Sequence, residues 1–214
     1  MEYIYQFLSE CSPVLEDANL TRCWPDWGAR LHRPAYNRLY YILEGEGEVL
    51  LDGDVYRPKP GQLCLLPAGR AVELRSAGKN CYTKYWCHFR AEARHIRLFD
   101  LLDAPVLLEI GMQAQLLSQF SEMVQAFQQP GMGNILRARA ALLEILSFYL
   151  SQAQEQGQLH PAAQNAPTEN LQQLTGYIEE HLCDEMTLES LARQLHFHPN
   201  YFSAFFKKHY GVSP

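Results

Sequence analysis

The spacing of hydrophobic residues changes along the chain and divides it into two halves. Up to about Glu109, short apolar segments alternate closely with turn residues, which is typical of β-strands in a sandwich or barrel. Asp52-Gly53 is a strong signal for a two-residue hairpin, because both central positions of that turn require positive φ. The predicted strands are 39–43, 48–56 with that hairpin inside it, 63–66, 72–74 and 81–89.

From about residue 113, apolar positions recur at three- and four-residue steps, the spacing of a helix with one buried face. Two long stripes of this kind cover 113–129 and 134–156, with Pro130-Gly131 between them. An antiparallel helix pair joined by a short turn is the simplest arrangement. Packing against the β-rich half and against each other would account for both stripes.

Residues 157–168 follow the helix pair and are rich in glutamine, alanine and proline. Because this segment has few large apolar groups, we expect it to be an exposed linker. A further helix is predicted over 170–183. The predicted fold class is therefore α+β: an N-terminal β-barrel or jelly roll (1–109), an antiparallel helix pair (110–156), the linker, and a small all-α domain (169–214).

The segment from Thr187 to the end predicts two helices separated by a tight turn. Thr187 can cap the first helix. Pro199 suits the first turn of the second helix, where its missing N–H needs no partner, and Gly211 can end that helix with a positive φ. The buried sides are expected to be Leu188, Leu191, Ala192 and Leu195 on the first helix and Tyr201, Phe202, Phe205 and Phe206 on the second.

Short polar or basic groups remain on the outward side of the second helix. Amide and hydroxyl groups suit base edges and lysines suit phosphates, so this composition is that of a recognition helix. The alternative is a three-helix packing unit in which the aromatic residues are only core. The outward residues are Asn200, Ser203, Ala204, Lys207 and Lys208.

The pattern Thr-Leu-x-x-Leu-Ala, followed after eight residues by Tyr-Phe-Ser-x-x-Phe-Lys-Lys-x-x-Gly-Val-Ser-Pro, resembles the AraC/XylS family of bacterial transcription regulators. The resemblance implies base contacts from Asn200, Ser203 and Ala204, and contacts near the DNA backbone from Lys207 and Lys208. Many family members carry a long polar side chain where this chain has Ala204. Direct readout by this helix is therefore expected to be modest.

The charge of the C-terminal segment is unfavourable for DNA binding. Between residues 169 and 214, the three basic residues Arg193, Lys207 and Lys208 face six acidic ones. Phosphate neutralisation dominates non-specific affinity, so this segment alone is expected to bind DNA weakly. The family's DNA-binding domain has two helix-turn-helix units, and the second would begin beyond Pro214. We therefore expect the natural protein to be longer than this chain.

The segment Gly61-x5-Pro67-x-Gly69 resembles the second half of the cupin signature, and a cupin barrel commonly precedes an AraC-type DNA-binding domain. Metal-binding cupins carry a histidine where this chain has Val72, and a His-x-His on an earlier strand, which is absent here. A three-ligand metal site is therefore not expected, and no catalytic residue or cofactor is assigned. The barrel mouth is expected to hold a small molecule.

Strand parity selects candidate residues for this small molecule, since alternate side chains share a face. Lys84, Trp86 and His88 share a face with Tyr82, and an indole beside hydrogen-bond donors suits a polyol. The resemblance to sugar-sensing family members implies Arg33, before Pro34, and Trp86. The alternative is a structural aromatic cluster with solvent-facing lysine and histidine. Further candidates are Trp24, Trp27, Arg38 and Tyr40.

The composition fits a soluble cytoplasmic regulator. A net charge of −6 argues against a general affinity for nucleic acid or acidic membranes. Neither a signal peptide nor a membrane span is apparent. The six cysteines form no Cys-x-x-Cys pair and are expected to be reduced structural thiols, with a Cys81–Cys87 redox pair as the alternative.

These observations predict a ligand-responsive AraC-type transcription regulator, with a sugar or a similar small polar metabolite as its effector. We expect it to bind double-stranded DNA as a homodimer, because in the family the helix pair, here 113–129 and 134–156, is where subunits meet. One alternative is a cupin-fold sugar-binding protein or isomerase without DNA binding. Another is a ligand-sensing module that contacts proteins. The sequence identifies neither the effector nor the operator, and it does not distinguish activation from repression.

Overall fold

The computed structural model describes residues 2–76, 80–93, 96–129, 131–162, 166–210 and 212–214. Within the helices at the chain's two ends, it describes the backbone alone for residues 2, 166–169, 171, 172, 179 and 208–210.

Strands dominate the first half of the chain and helices the second. The strands are β1 (Val14–Arg22), β2 (Gly28–Leu31), β3 (Asn37–Glu44), β4 (Gly47–Leu51), β5 (Asp54–Tyr56), β6 (Gln62–Leu66), β7 (Val72–Ser76), β8 (Thr83–Arg90), β9 (Glu92–Ala93), β10 (Ile96–Arg97), β11 (Leu102–Asp103), β12 (Leu107–Glu109) and β13 (His160–Pro161). The helices are α1 (Glu2–Glu10), α2 (Leu98–Leu101), α3 (Ala114–Gln128), α4 (Met132–Glu155), α5 (Ala166–Glu180), α6 (Leu188–Gln194) and α7 (Pro199–Tyr210).

Two antiparallel sheets form a cupin-like sandwich. The larger sheet has the order β1-β8-β3-β6-β12, and the smaller has the order β2-β7-β4-β5. Apolar side chains from both sheets meet between them, among them Tyr40 and Cys64 of the larger sheet and Val49 and Leu74 of the smaller. The α+β prediction, with an N-terminal cupin-like half and a helical C-terminal half, is confirmed.

The central strands of the larger sheet, β3 and β6, are buried on both faces. On the outer face of this sheet, Leu39 and Leu63 belong to a core that includes Phe120 of α3 and Ile145 of α4. The Tyr41 ring stacks on Phe120 at 5.7 Å between centroids. Strands buried on both faces are expected to be almost continuously apolar, and the 39–43 segment follows this rule.

Most predicted elements are confirmed within a few residues. The Asp52-Gly53 hairpin joins β4 to β5, and both residues have positive φ, at 50° and 99°. Helix α6 begins as predicted, because Thr187 and Ser190 form a capping box in which each side chain accepts the other's backbone N–H. The helix pair is present as α3 and α4, joined by a short connection.

The structure differs from the expectations in several places. Residues 1–109 were expected to be β-structure with turns, but α1 precedes the first strand and buries Ile4 and Phe7. The segment 157–168 was expected to be an exposed linker, but β13 within it pairs with β11, and α5 already begins at Ala166. Strands β1 and β2 were not predicted. Gly211, expected to end the last helix, and Pro130 lie outside the described residues.

The cysteines that the structure describes form no disulfide, and Cys87 of the alternative redox pair is fully buried. Among the helices that the structure describes, none is both long and apolar enough to cross a bilayer.

We expect Gly45→Ala to lower the free energy of unfolding by about 3 kcal/mol or more, because positive-φ strain and a backbone collision add. Gly45 has a φ of 86°, and a Cβ there would lie 2.2 Å from the carbonyl oxygen of Cys81. Gly53 also has positive φ but nothing within 4 Å of its Cβ position. Gly53→Ala is therefore the matched control, with an expected cost of about 1–2 kcal/mol. Equal losses for the two variants in urea unfolding would contradict the collision.

Candidate functional site

A cavity of about 320 Å³ opens at the sandwich, between strands of both sheets. Its size is at the lower end of the range for small-molecule sites. The strands β1, β2, β3, β7 and β8 and the segment before β2 contribute to its wall. The lining residues are Thr21, Trp24, Trp27, Ala29, Arg38, Tyr40, Leu74, Lys84, Trp86 and His88.

The cavity brings together most of the residues proposed from the sequence as effector contacts. Lys84, Trp86 and His88 line it, together with the weaker candidates Trp24, Trp27, Arg38 and Tyr40. The register explains this grouping, since Arg38 lies opposite His88 and Tyr40 lies opposite Trp86 on adjacent strands. Their role in binding an effector stays a prediction.

Arg33 lies elsewhere. It is exposed, follows β2 with a φ of 50°, and does not line the cavity. Its charge acts on Asp52, whose pKa is lowered first by the backbone N–H of Ala71 and then by Arg70 and Arg33. Arg33 therefore lies near the β4–β5 turn. This position does not support a direct contact with a ligand in the cavity.

Sequence reasoning missed Thr21, Ala29 and Leu74 as cavity residues. Leu74 lies on a predicted strand, and its inward direction could have been deduced from parity with Val72. Thr21 and Ala29 lie on β1 and β2, whose burial patterns are mostly exposed, so their sequences carry little apolar alternation.

Lys84 is the most unusual residue of the cavity, because its side chain is almost completely buried, at 3% exposure. Its Nζ lies 3.6 Å from the ring centroid of Tyr40 and 4.1 Å from that of Trp27. Cation–π attraction of this kind offsets part of the cost of burying the charge. Burial lowers the Lys84 pKa to about 8, and Arg38 adds to the lowering against the opposing effect of the Cys23 and Cys64 thiols.

Arg38 lies beside Lys84 and is also buried, at 8% exposure. Two of its guanidinium nitrogens donate to the hydroxyls of Tyr40 and Tyr36, each at 3.0 Å. Its Nε is buried and has no hydrogen-bond partner. Burial raises the pKa of Tyr40 to about 12, so the phenol beside Arg38 is neutral at physiological pH and does not compensate its charge.

His88 and Trp86 form an aromatic wall next to these cations. The His88 ring lies 4.7 Å from Tyr36 and 4.7 Å from Trp86, measured between centroids. Trp86 Nε1 donates to the Thr21 hydroxyl at 2.8 Å, which fixes the indole plane. Burial, followed by the charges of Arg38 and Lys84, lowers the His88 pKa to about 4. The imidazole is therefore neutral at pH 7 and can donate or accept a hydrogen bond.

The cavity thus combines two cations, several ring faces and neutral polar groups. No carboxylate is among its lining residues. Among the residues that the structure describes, no group of three histidine, cysteine or acidic side chains could hold a metal ion. The arrangement is suited to binding a small molecule through stacking and charge.

The C-terminal helices form a second candidate site. Ala192 and Leu195 of the α6 region pack with Phe202 and Phe205 of α7 in one core. Asn200, Ala204 and Lys207 are exposed and Ser203 is half-buried. The side chain of Lys208 lies outside the described residues.

Tyr201 was expected in the buried side of α7 and is 59% exposed instead. It lies in the first turn of the helix, and its ring packs edge-on against Phe197, at 4.7 Å between centroids.

Lys84→Met is expected to raise the free energy of unfolding by about 2–3 kcal/mol at pH 7, because it removes a buried charge without an ionic partner. The folded-state pKa of about 8 lies below the ordinary value of 10.5. The destabilisation by Lys84 is therefore complete below pH 8 and is lost as the pH rises to 10.5.

The test is urea unfolding of the wild type and the variant across this pH range. The difference between their free energies of unfolding should become smaller above pH 8. Lys59→Met, at an exposed lysine, is the matched control and should change little. A destabilised Lys84→Met would show that the ammonium group is compensated in the folded protein.

Comparisons with known proteins give one family match for each half of the chain. Residues 20–146 match the AraC-like ligand binding domain, and residues 178–214 match the bacterial regulatory helix-turn-helix proteins of the AraC family. The chain is 24% identical over 191 residues to the uncharacterized HTH-type transcriptional regulator YobQ of Bacillus subtilis (strain 168), covering 86% of this chain and 65% of YobQ. This chain therefore spans less than two thirds of that relative's length.

A second relative is the lactose operon transcription activator of Staphylococcus xylosus, which is 23% identical over 215 residues, with 94% of this chain and 74% of the relative covered. Among solved structures, apo ToxT from Vibrio cholerae strain SCE256 covers 95% of both chains with a TM-score of 0.45 and 13% identity. The cupin domain of Schizosaccharomyces pombe Cnp3 covers 36% of this chain and 61% of that domain, with a TM-score of 0.32 and 17% identity. Because the ligand-binding match alone includes more than half of the chain, this protein belongs to the AraC family.

Proposed function

We propose that this protein is a ligand-responsive, sequence-specific DNA-binding transcription regulator, and that its effector binds in the cavity of the sandwich. The observation that carries the proposal is the cavity itself, whose wall gathers ring faces and polar groups from two sheets. Indole faces such as Trp86 suit a sugar or a similar small polar metabolite. No residue is proposed to act in catalysis, and the expected site of action is the cytoplasm, where promoter DNA is accessible.

The proposed DNA contacts come from α7. The exposed Asn200 supplies an amide for a base edge, and the exposed Lys207 supplies a cation for a phosphate. Ser203 and Ala204 contribute short side chains that allow a close approach, and Lys208 is proposed from the family resemblance. A relative named as a transcription activator supports activation as the direction of control.

A homodimer through α3 and α4 is the proposed assembly. One side of α4 packs on the barrel, whereas another side leaves large apolar groups exposed, with Met132 at 90%. Met132 lies three residues before Ile135 and four before Leu136, and Leu143 follows Leu136 by seven residues, a spacing that would suit a helix packing against a second copy. The exposed apolar row consists of Met132, Ile135, Leu136 and Leu143.

Ligand control requires that the effector prefer one arrangement of the protein over another, since equal affinity for both changes nothing. The larger sheet offers the physical connection between cavity and helix pair. Tyr85 follows Lys84 on β8 and points to the opposite face, where its ring stacks on Phe120 of α3 at 5.7 Å. A ligand that moves β8 would therefore also move the packing surface of the proposed dimer helices.

A mobility-shift experiment with the intact gene product and its own promoter region tests the DNA-binding proposal. We expect a sequence-specific shift at low salt, and a loss of about tenfold or more in specific affinity for the Asn200→Ala, Lys207→Ala double variant. Lys59→Ala removes an exposed barrel lysine and should leave the shift unchanged. The regulator proposal would be abandoned if no specific shift occurred, and the α7 assignment would be abandoned if the double variant kept full affinity.

Sedimentation velocity tests the dimer. Placing glutamates in the exposed apolar row with Leu136→Glu and Leu143→Glu should convert the dimer to a monomer, because association would then bury uncompensated charges. Arg137→Glu adds the same side chain outside that row and should remain dimeric. A monomeric wild type, or a dimeric double variant, would contradict this interface.

A further inference from the structure

Two buried cations without an acidic partner line the cavity. Lys84 makes no hydrogen bond or ion pair with the residues that the structure describes, and its contacts are the ring faces of Tyr40 and Trp27. The Nε atom of Arg38 is buried without a partner, and its other bonds reach only neutral phenols. The wall therefore has donors and positive charge that its own residues leave uncompensated.

Four exposed arginines of the same barrel are arranged differently. Arg57 lies 2.7 Å from a carboxylate oxygen of Glu48, and Arg90 lies 2.6 Å from one of Glu16. Arg30 and Arg75 share Glu73, at 3.0 and 2.8 Å. An ionic partner stabilises an exposed charge only slightly, whereas a buried charge without a partner is strongly destabilising. The fold thus gives carboxylate partners to these four exposed arginines, whereas Lys84 and Arg38, which are buried, have none among the described residues.

We propose that the effector carries an anionic oxygen group, a carboxylate or a phosphate, which binds to Lys84 and Arg38. This inference rests on the proposed function, because it names the chemistry of the ligand at the proposed effector site. The two cations lie close together, since both contact Tyr40, one through its ring face and the other through its hydroxyl. Charge-assisted hydrogen bonds from an ammonium and a guanidinium are the strong ones that such groups form.

The other lining residues indicate the chemistry of the rest of this ligand. Trp24, Trp27 and Trp86 offer three indoles, and Leu74 and Ala29 complete a largely apolar surface. Neutral His88 and the Thr21 hydroxyl add neutral polar groups to this wall. A volume of about 320 Å³ accommodates one ring with an acidic substituent. The expected ligand is therefore a small ring-containing acid rather than a neutral polyol, and its ring can be a sugar or an aromatic one.

Thermal unfolding of the purified chain tests the anion site without knowledge of the natural effector. The probes are sodium phosphate and sodium acetate against sodium chloride at equal ionic strength, glucuronate and glucose 6-phosphate against glucose, and benzoate against benzyl alcohol. A ligand that binds only the folded state raises the midpoint. We expect at least one anion to raise it, with an affinity at least tenfold higher than that of its neutral counterpart. Comparison of these probes distinguishes a carboxylate ligand from a phosphate ligand, and a sugar ring from an aromatic ring.

Variants of the cavity residues test whether the anion binds in the cavity. Lys84→Met should abolish the anion-dependent rise, and Arg38→Gln should weaken it, whereas Lys59→Met should retain it. Lys84→Met is expected to fold, since it removes an uncompensated charge. The proposal is overturned if no anion raises the midpoint, if neutral counterparts bind equally well, or if Lys84→Met retains the response. The DNA shift is measured without ligand, so an intact shift with a failed anion response refutes this inference alone.

Discussion

The packing of both faces of the central strands of the larger sheet is the constraint on which the rest of the structure depends. Successive side chains of β3 and β8 point to opposite faces, so each strand must satisfy two environments at once. On β8, Lys84 and Trp86 belong to the cavity, whereas Cys87 and Phe89 belong to the core shared with the helices. A shift of one residue in register would exchange the two sets, burying cations under the helices. The register is therefore strongly determined.

The same constraint makes the helix pair part of the sensor. The Tyr41 hydroxyl donates to the carbonyl of Gly111 and accepts the backbone N–H of Gln113, both at 2.9 Å, so it fixes the start of α3. Its neighbour on the strand, Tyr40, lies under Lys84 on the other face. Because protein interiors are closely packed, a displacement of this strand cannot be absorbed on one face alone. The proposed coupling between ligand binding and dimer assembly can therefore act through the strands of this sheet alone.

Sequence reasoning succeeded where apolar periodicity and special turn residues agree, and it failed where backbone pairing decides. Strand parity on 81–89 placed Lys84, Trp86 and His88 on one face, and the structure brings all three to one cavity. The strand β13 was missed because its hydrogen bonds to β11 involve backbone atoms, which composition does not report. Arg33 was selected from a resemblance in its context, but its position depends on how the chain turns after β2. Such a turn has no periodic signal.

The uncompensated cations of the cavity lower the stability of the barrel, so their presence needs an explanation other than stability. A methionine at position 84 would fill similar space without the cost of burying a charge, so stability alone gives no reason for a lysine there. The ring faces around it do not neutralise it, and the thiols Cys23 and Cys64, which act on its charge, have pKa values that burial itself raises. A buried charge that the fold neither requires nor satisfies is explained by a ligand that satisfies it. The cation pair and the aromatic wall then act together, since the rings exclude water and thereby strengthen the attraction for an anion.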